Sequence, residues 1–130
     1  MLFKEERLKT EFFKMDPIVR LMAIHFEVLC KEYFKITPVC TRIFDDIKGA
    51  TGVHPAGRAI DFRNETGGKR MFTDEQVKFL VSEMNKRFPG HDNLATCIHH
   101  SFNGGPYHFH IQKTLGDKYD KDLSCFDYHK

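Results

Sequence analysis

The stretch that decides the fold is "TGVHPAGRAIDFR", residues 51–63. Its second half alternates polar and apolar side chains, which is typical of a strand with one buried face. Ile60 and Phe62 then face the core, and Asp61 faces the opposite side, which a cleft could line. A glycine after the proline allows a tight reversal, so that His54 can fold back alongside Asp61.

A later segment, residues 107–113, shows the same alternation. His108 and His110 share one face of the predicted strand, whereas Phe109 and Ile111 share the other. If the two strands are neighbours, three side chains converge: His54, Asp61 and His110. Two imidazoles and one carboxylate suit a zinc ion and leave a fourth position for water. Solvent-facing polar alternation explains the same spacing, so the residues alone leave both interpretations open.

The remaining pattern predicts an α+β domain, with a small antiparallel sheet flanked by helices. Helices are predicted over residues 3–14, from Asp16 to about residue 36, and from the capping box at Thr73–Gln76 to Pro89. In the second helix, apolar residues recur at helical spacing: Ile18, Leu21, Met22, Phe26, Leu29 and Tyr33. Strands are predicted at 38–44, 58–63, 94–100 and 107–113. The short connection between the last two strands favours antiparallel pairing.

Length and composition favour a single domain over residues 1–130, with N-terminal helices at 1–35, a core at 36–113 and a tail at 114–130. A balanced net charge of +2 gives no reason to expect nucleic-acid or membrane binding, and we expect a monomer. The first 14 residues lack the apolar core of a signal peptide. We therefore expect the protein to be made in the cytoplasm and to stay there unless released. Cys30 and Cys40 lie in apolar surroundings and are expected to be buried free thiols.

The string H-P-A-G-R-A-I-D at 54–61, followed by H-F-H-I at 108–111, resembles the zinc D-Ala-D-Ala carboxypeptidase and L-alanyl-D-glutamate endopeptidase family. That family has the fold of the Hedgehog-type DD-peptidases and includes many phage endolysins. The resemblance covers residues 36–113. It implies three zinc ligands: His54, Asp61 and His110. It also implies a catalytic role beside the metal for His108.

One part of the family pattern differs here. The family tends to carry Thr-Ser-x-x-Arg on the preceding strand, and its arginine holds a substrate carboxylate or the developing oxyanion. This chain has T-R-I-F-D at 41–45, so that Asp45 stands in the place of the arginine. We expect Arg42 to take over from a shifted register, with Arg58, Arg63 or a lysine as alternatives. Tyr107 stands where some members carry an acid, and we expect substrate contacts from Tyr107 and Arg58.

These observations together predict a zinc-dependent peptidase that cleaves peptidoglycan stem peptides and acts on the cell wall if released. His108 would serve as general base or as a cation beside the oxyanion. A carboxylate from a flanking loop is an alternative base: Asp45, Asp46 or Glu65. A zinc-stabilised structural or binding module of a phage particle is the alternative function. An Fe(II) oxygenase triad is disfavoured, because His54 precedes Asp61 by seven positions rather than two.

Overall fold

The computed structural model describes residues 1–44, 52–101 and 104–123. Within those ranges it contains three α-helices: α1 (Arg7–Lys14), α2 (Pro17–Phe34) and α3 (Asp74–Arg87). Its strands are β1 (Leu2–Phe3), β2 (Val39–Arg42), β3 (Ala59–Arg63), β4 (Glu65–Thr66), β5 (Lys69–Arg70), β6 (Cys97–His100) and β7 (His108–Gln112). Short 3-10 helices span His91–Asn93 and Lys118–Leu123. Of the helices it describes, none combines the length and apolar character needed to cross a bilayer.

Five strands form one sheet in the order β1-β2-β3-β7-β6, and β4 and β5 form a separate hairpin. The α+β class is confirmed, and β6 and β7 pair antiparallel as predicted. The purely antiparallel sheet is wrong in one respect, since β1 pairs parallel with β2. Residue 3, predicted to begin a helix, lies instead in β1, and α1 begins only at Arg7.

The core lies between one face of the sheet and helices α2 and α3. The ring of Phe26 on α2 stacks on Phe62 of β3, with centroids 4.8 Å apart, and lies 5.0 Å from Phe109 of β7. Ile60 and Phe62 are fully buried in this layer, as the alternation predicts. The opposite face of the sheet is therefore left for the polar residues of the same strands.

Helix α2 is turned relative to the face that its apolar periodicity suggests. Its buried residues are Val19, Met22, Ala23, Phe26, Leu29 and Cys30. Ile18, Leu21 and Tyr33 belong to the same apolar pattern but are exposed. Helix α2 is apolar on more than one side, so periodicity alone does not select the buried face.

Local signals at the helix starts are confirmed. Thr73 accepts a hydrogen bond from the backbone N–H of Gln76 at 3.2 Å, and the Gln76 side chain accepts one from the Thr73 N–H at 2.9 Å. Asp16 accepts from the N–H of Ile18 at 2.8 Å and caps α2. Each cap satisfies backbone donors that a helix start otherwise leaves unpaired.

Cysteines Cys30, Cys40 and Cys97 are free and buried, which confirms the expectation for the first two. Burial raises the pKa of Cys30 and of Cys40 to about 12. Both side chains therefore remain protonated thiols that act as small apolar residues in the core. Cys125 lies outside the described residues.

Candidate metal centre

Strands β3 and β7 bring the two predicted motifs together. They are antiparallel neighbours, with Asp61 opposite His110 and Arg63 opposite His108. Residues directly opposite each other in an antiparallel pair project from the same face. All four side chains therefore lie on the sheet face away from α2, and the condition that the two strands are neighbours is met.

A tight turn returns His54 to this face. Gly57 has a φ of +71°, in the left-handed region that favours glycine. A Cβ at this position would lie 3.0 Å from the ring of Phe44. The Gly57 N–H donates to the carbonyl of His54 at 2.9 Å. As a result, Nε2 of His54 lies 3.3 Å from Oδ1 of Asp61.

Hydrogen bonds at the far side of each ring fix which nitrogen faces the centre. Nδ1 of His54 lies 2.6 Å from the carbonyl oxygen of Ile43, which can only accept, so Nδ1 carries the hydrogen. Its Nε2 keeps a lone pair, is buried, and makes no hydrogen bond to any described residue. In His110, Nε2 lies 2.7 Å from Oε1 of Gln112, and Nδ1 lies 3.0 Å from Oδ1 of Asp61. One ring nitrogen of each imidazole thus faces the same carboxylate.

This arrangement fits a metal ion. The donor atoms of His54, Asp61 and His110 all lie within 4.8 Å of one another, and all three residues are buried. The separations from Asp61 Oδ1, 3.3 and 3.0 Å, are close to the edge of about 3.3 Å expected for a tetrahedron with zinc–nitrogen bonds of about 2.0 Å. An imidazole nitrogen that faces a carboxylate at this distance needs a proton or a metal ion between the two atoms, and a metal ion can bind all three residues at once. The triad can therefore hold a metal ion.

Asp61 is kept in the ionised form that a metal requires. Burial alone would raise its pKa, but the charge of His54, the hydrogen bond from His110 and the charge of His108 lower that pKa well below its usual range. The carboxylate remains an anion throughout the physiological range, and ligation does not have to displace a proton from it.

His108 stands between this triad and an open pocket. Its Nε2 lies 3.5 Å from Oδ2 of Asp61, and its Nδ1 lies 3.2 Å from the carbonyl oxygen of Pro106. The Pro106 carbonyl can only accept, so Nδ1 carries the hydrogen and Nε2 can accept a proton. The pocket, about 580 Å³ in volume, is lined by Asp61, His108 and Tyr107 among others.

Arg42 borders the same pocket from β2. It pairs with Asp61 across the strands, and its Nη1 lies 4.0 Å from Oδ2 of that carboxylate. A guanidinium in this position can reach an anion that enters beside the triad. Asp45, where the family pattern places its arginine, lies outside the described residues, as does Asp46.

His100 belongs to the site and was not singled out by the spacing. It is opposite His108 on β6, and its ring centroid lies 4.4 Å from that of His108 and 5.6 Å from that of His110. Burial, together with the charges of His108 and His110, lowers the pKa of His100 to about 3. The neutral imidazole of His100 thus packs against the rings of His108 and His110. Strand alternation combined with the antiparallel register is the signal that could have found it.

Arg58 lies in a different environment from the one expected. Its guanidinium donates to Asp117 at 2.6 Å and to Asp120 at 3.0 Å, and it is absent from the described lining of the pocket. Its charge is thus already compensated by two carboxylates of the tail. A substrate contact by Arg58 stays a prediction.

Comparison of the chain with protein-family models, with curated proteins and with solved structures gave no match in any of the three.

Proposed function

We propose that this protein is a zinc-dependent peptidase that hydrolyses peptidoglycan stem peptides, at the L-Ala–D-Glu bond or at a bond next to a D-amino acid. The observation that carries the proposal is the buried Nε2 of His54, which makes no hydrogen bond to a described residue and points, with Nδ1 of His110, at Asp61. The substrate class rests on the resemblance of the strings at 54–61 and 108–111 to the zinc peptidase family. Release at cell lysis would bring the protein to this substrate.

The donor set favours a catalytic zinc ion over a structural one. Structural zinc sites are closed by four protein ligands, whereas catalytic sites use three and leave one position open. Here three side chains converge at the edge of an open pocket. When bound, zinc would lower the pKa of a water molecule and polarise a carbonyl group.

The surrounding side chains supply the remaining chemistry. His108 directs Nε2 toward the site while Pro106 holds its other nitrogen, so this imidazole can take a proton from the attacking water. Imidazole is suited to this because it ordinarily titrates near neutral pH. Arg42 can hold the negative charge that develops on the substrate oxygen. Tyr107 lines the same pocket and can contact the peptide.

Digestion of purified peptidoglycan tests the proposal directly. The zinc-loaded protein is incubated with the polymer, and the products are identified by mass spectrometry. We expect new peptide termini at one bond of the stem peptide, loss of these products on adding a chelator, and their return when zinc is restored. Intact stem peptides in the presence of zinc-loaded protein would contradict the proposal and favour the non-catalytic module.

His108→Ala separates catalysis from metal binding. We expect the variant to retain about one zinc per chain and to lose roughly 100-fold or more in hydrolysis, because a general base contributes about 10²–10⁴-fold. His91→Ala is the matched control, since His91 is exposed and lies outside the described lining of the pocket. Unchanged turnover in His108→Ala would remove this residue from the mechanism.

A further inference from the structure

Helix α2 presents a second apolar face to solvent. Five of the eight exposed large apolar side chains in the described part of the chain lie on this one helix. Single exposed apolar residues are normal, whereas a contiguous group of them marks an interaction surface. We propose that this face of α2 pairs with the same face of a second copy of the chain, in antiparallel orientation. This pairing is independent of the proposed function.

The exposed residues form a narrow stripe along the helix. Leu21, Ile24 and Val28 are 53%, 47% and 50% exposed, and Pro17, at the start of α2, is exposed as well. Successive spacings of four, three and four residues place these side chains on one line, which is the repeat that pairs helices in coiled coils. These four residues form the α2 seam.

The α2 seam is complementary to itself when the helix meets an antiparallel copy. In a two-fold pair, a residue that contacts a second residue across the axis is matched by the reverse contact. An axis between Leu21 and Ile24 brings each of these side chains against the other in the second copy. The same axis brings Pro17 against Val28, so that apolar side chains meet along the whole α2 seam.

The charged residues beside the α2 seam select the antiparallel orientation. Arg20 and Glu27 lie seven residues apart and therefore flank the seam on the same side. With the axis placed as above, Arg20 of each copy lies beside Glu27 of the other, and two ion pairs form. A parallel pair would instead bring Glu27 beside Glu32 of the second copy, where like charges repel.

Both charged groups can accept such a partner. Arg20 forms no ion pair with another described residue, and its Nε makes no hydrogen bond to one. Glu27 pairs with the N-terminal amine of Met1, but a carboxylate has two oxygens and can accept a second donor. The guanidinium of a second copy would therefore add to the existing contacts of Glu27 rather than compete with them.

Pairing through α2 leaves the metal centre accessible. Phe26 of α2 packs on Phe62 and Phe109, on the face of the sheet opposite Asp61. The α2 seam lies on the other side of the helix from Phe26, because of the helical spacing between them. Each centre thus lies on the far side of its own sheet from the interface, and the pair replaces the monomer expected from the sequence.

Sedimentation equilibrium of the full chain measures the pairing, over concentrations from about 1 μM to about 100 μM. We expect the mass of two chains at high concentration and of one chain on dilution. Ile24→Lys should weaken association by roughly 100-fold or more, because the charge enters a two-fold interface twice. Leu115→Lys is the matched control, since Leu115 is 50% exposed but lies outside α2, and it should associate like the unaltered chain.

Mixing two charge variants tests the orientation. Arg20→Glu places like charges across the pair, and so does Glu27→Arg, so that each variant alone should sediment as single chains. An equal mixture of the two should recover pairs, because opposite charges then face each other at both places. Circular dichroism and zinc content should be unchanged in every variant, since the substitutions lie on an exposed face away from the metal centre.

Each result decides for or against the pairing. A single-chain mass for the unaltered protein at every concentration would overturn it, and so would a pair that survives Ile24→Lys. Pairs that form on mixing, but in neither charge variant alone, support contact between Arg20 and Glu27 of different copies. A mixture of folded variants that stays as single chains would overturn the antiparallel arrangement.

Discussion

At the scale of single residues, the centre depends on which nitrogen of each imidazole faces Asp61. The carbonyl of Ile43 holds the other nitrogen of His54, and the side chain of Gln112 holds the other nitrogen of His110. Gln112 is fully buried, so its amide is held close to the ring with little freedom to move. Partners of this kind orient the metal-binding nitrogen and are as much a part of a metal site as the ligands.

Gln112→Leu removes the hydrogen-bond partner of His110 and replaces it with an apolar side chain of similar size. We expect zinc affinity to fall by about 10–100-fold, the usual cost of losing such a partner. Competition with a zinc chelator of known affinity measures this, and circular dichroism checks that the fold is retained. Unchanged affinity in a folded variant would show that Gln112 does not orient His110.

The sequence was sufficient to predict that His54, Asp61 and His110 lie together, but not which residues support them. Alternation along a strand is a local property, and it places Asp61 and His110 on one face once their strands are paired. The partners of Arg58 could not be predicted in this way, because Asp117 and Asp120 lie about sixty residues further along the chain. Which of the adjacent His99 and His100 joins the site could not be predicted, because this depends on the register between β6 and β7.

At the scale of elements, the C-terminal 3-10 helix is tied to the start of β3 through one buried charge cluster. Asp120 accepts from Arg58 at 3.0 Å and from the backbone N–H of Gly116 at 2.6 Å. Both Arg58 and Asp120 are buried, whereas the Asp117 side chain is 40% exposed. The cluster therefore holds residues 114–120 against the strand that carries Asp61.

Asp120→Ala leaves the guanidinium of Arg58 buried with only a half-exposed partner. Breaking a buried pair by removing one member typically costs about 3–5 kcal/mol, so we expect a loss of about 3 kcal/mol in the free energy of unfolding. Urea denaturation measures it. Asp117→Ala is the matched control and should cost clearly less, because water screens an exposed carboxylate. Equal losses in the two variants would show that the buried pair does not hold this segment.

Element types were more predictable than element pairing. The caps at Asp16 and Thr73 act within one turn of the chain, and both helices begin where they indicate. Strand β1 has only two residues, too few for alternation to show, and its parallel pairing with β2 connects positions far apart in sequence. The buried face of α2 is likewise determined by contacts of Phe26 with β3 and β7. The periodicity of the helix sequence carries no information about these contacts.

At the scale of the whole molecule, one face of the sheet packs against the helices, and the opposite face carries the residues of the candidate site. Helix α2 packs on one face through Phe26, which contacts Phe62 and Phe109, and α3 packs beside α2 and against β6. The other face carries Asp61 and His110, held by the same strands. Because each strand contributes to both faces, the packing of the core also fixes the positions of Asp61 and His110.

Metal binding by the whole molecule should depend on pH in a defined direction. Imidazoles bind metal only through a nitrogen that carries no proton, so zinc binding weakens as the pH falls. The pKa of Asp61 is held well below its usual range, so this carboxylate adds little to the dependence. Because two histidine ligands each exchange a proton for the metal ion, we expect the zinc Kd to rise by up to about 100-fold for each pH unit lost.

Zinc titrations between about pH 7.5 and about pH 5 measure this dependence. His91→Ala is a control that removes an exposed imidazole outside the centre and should give the same curve. A zinc Kd that stays constant over this range would contradict ligation by two histidines.

The most direct measurement is the metal content of the purified protein. Protein prepared without chelators is analysed by plasma mass spectrometry, together with His54→Ala, His110→Ala and the exposed-site control His91→Ala. We predict about one zinc per chain in the unaltered protein and in the control, and none retained by either ligand variant, because two of three ligands do not hold the ion. A folded, unaltered protein that carries no zinc and takes up none when zinc is added would contradict the metal centre.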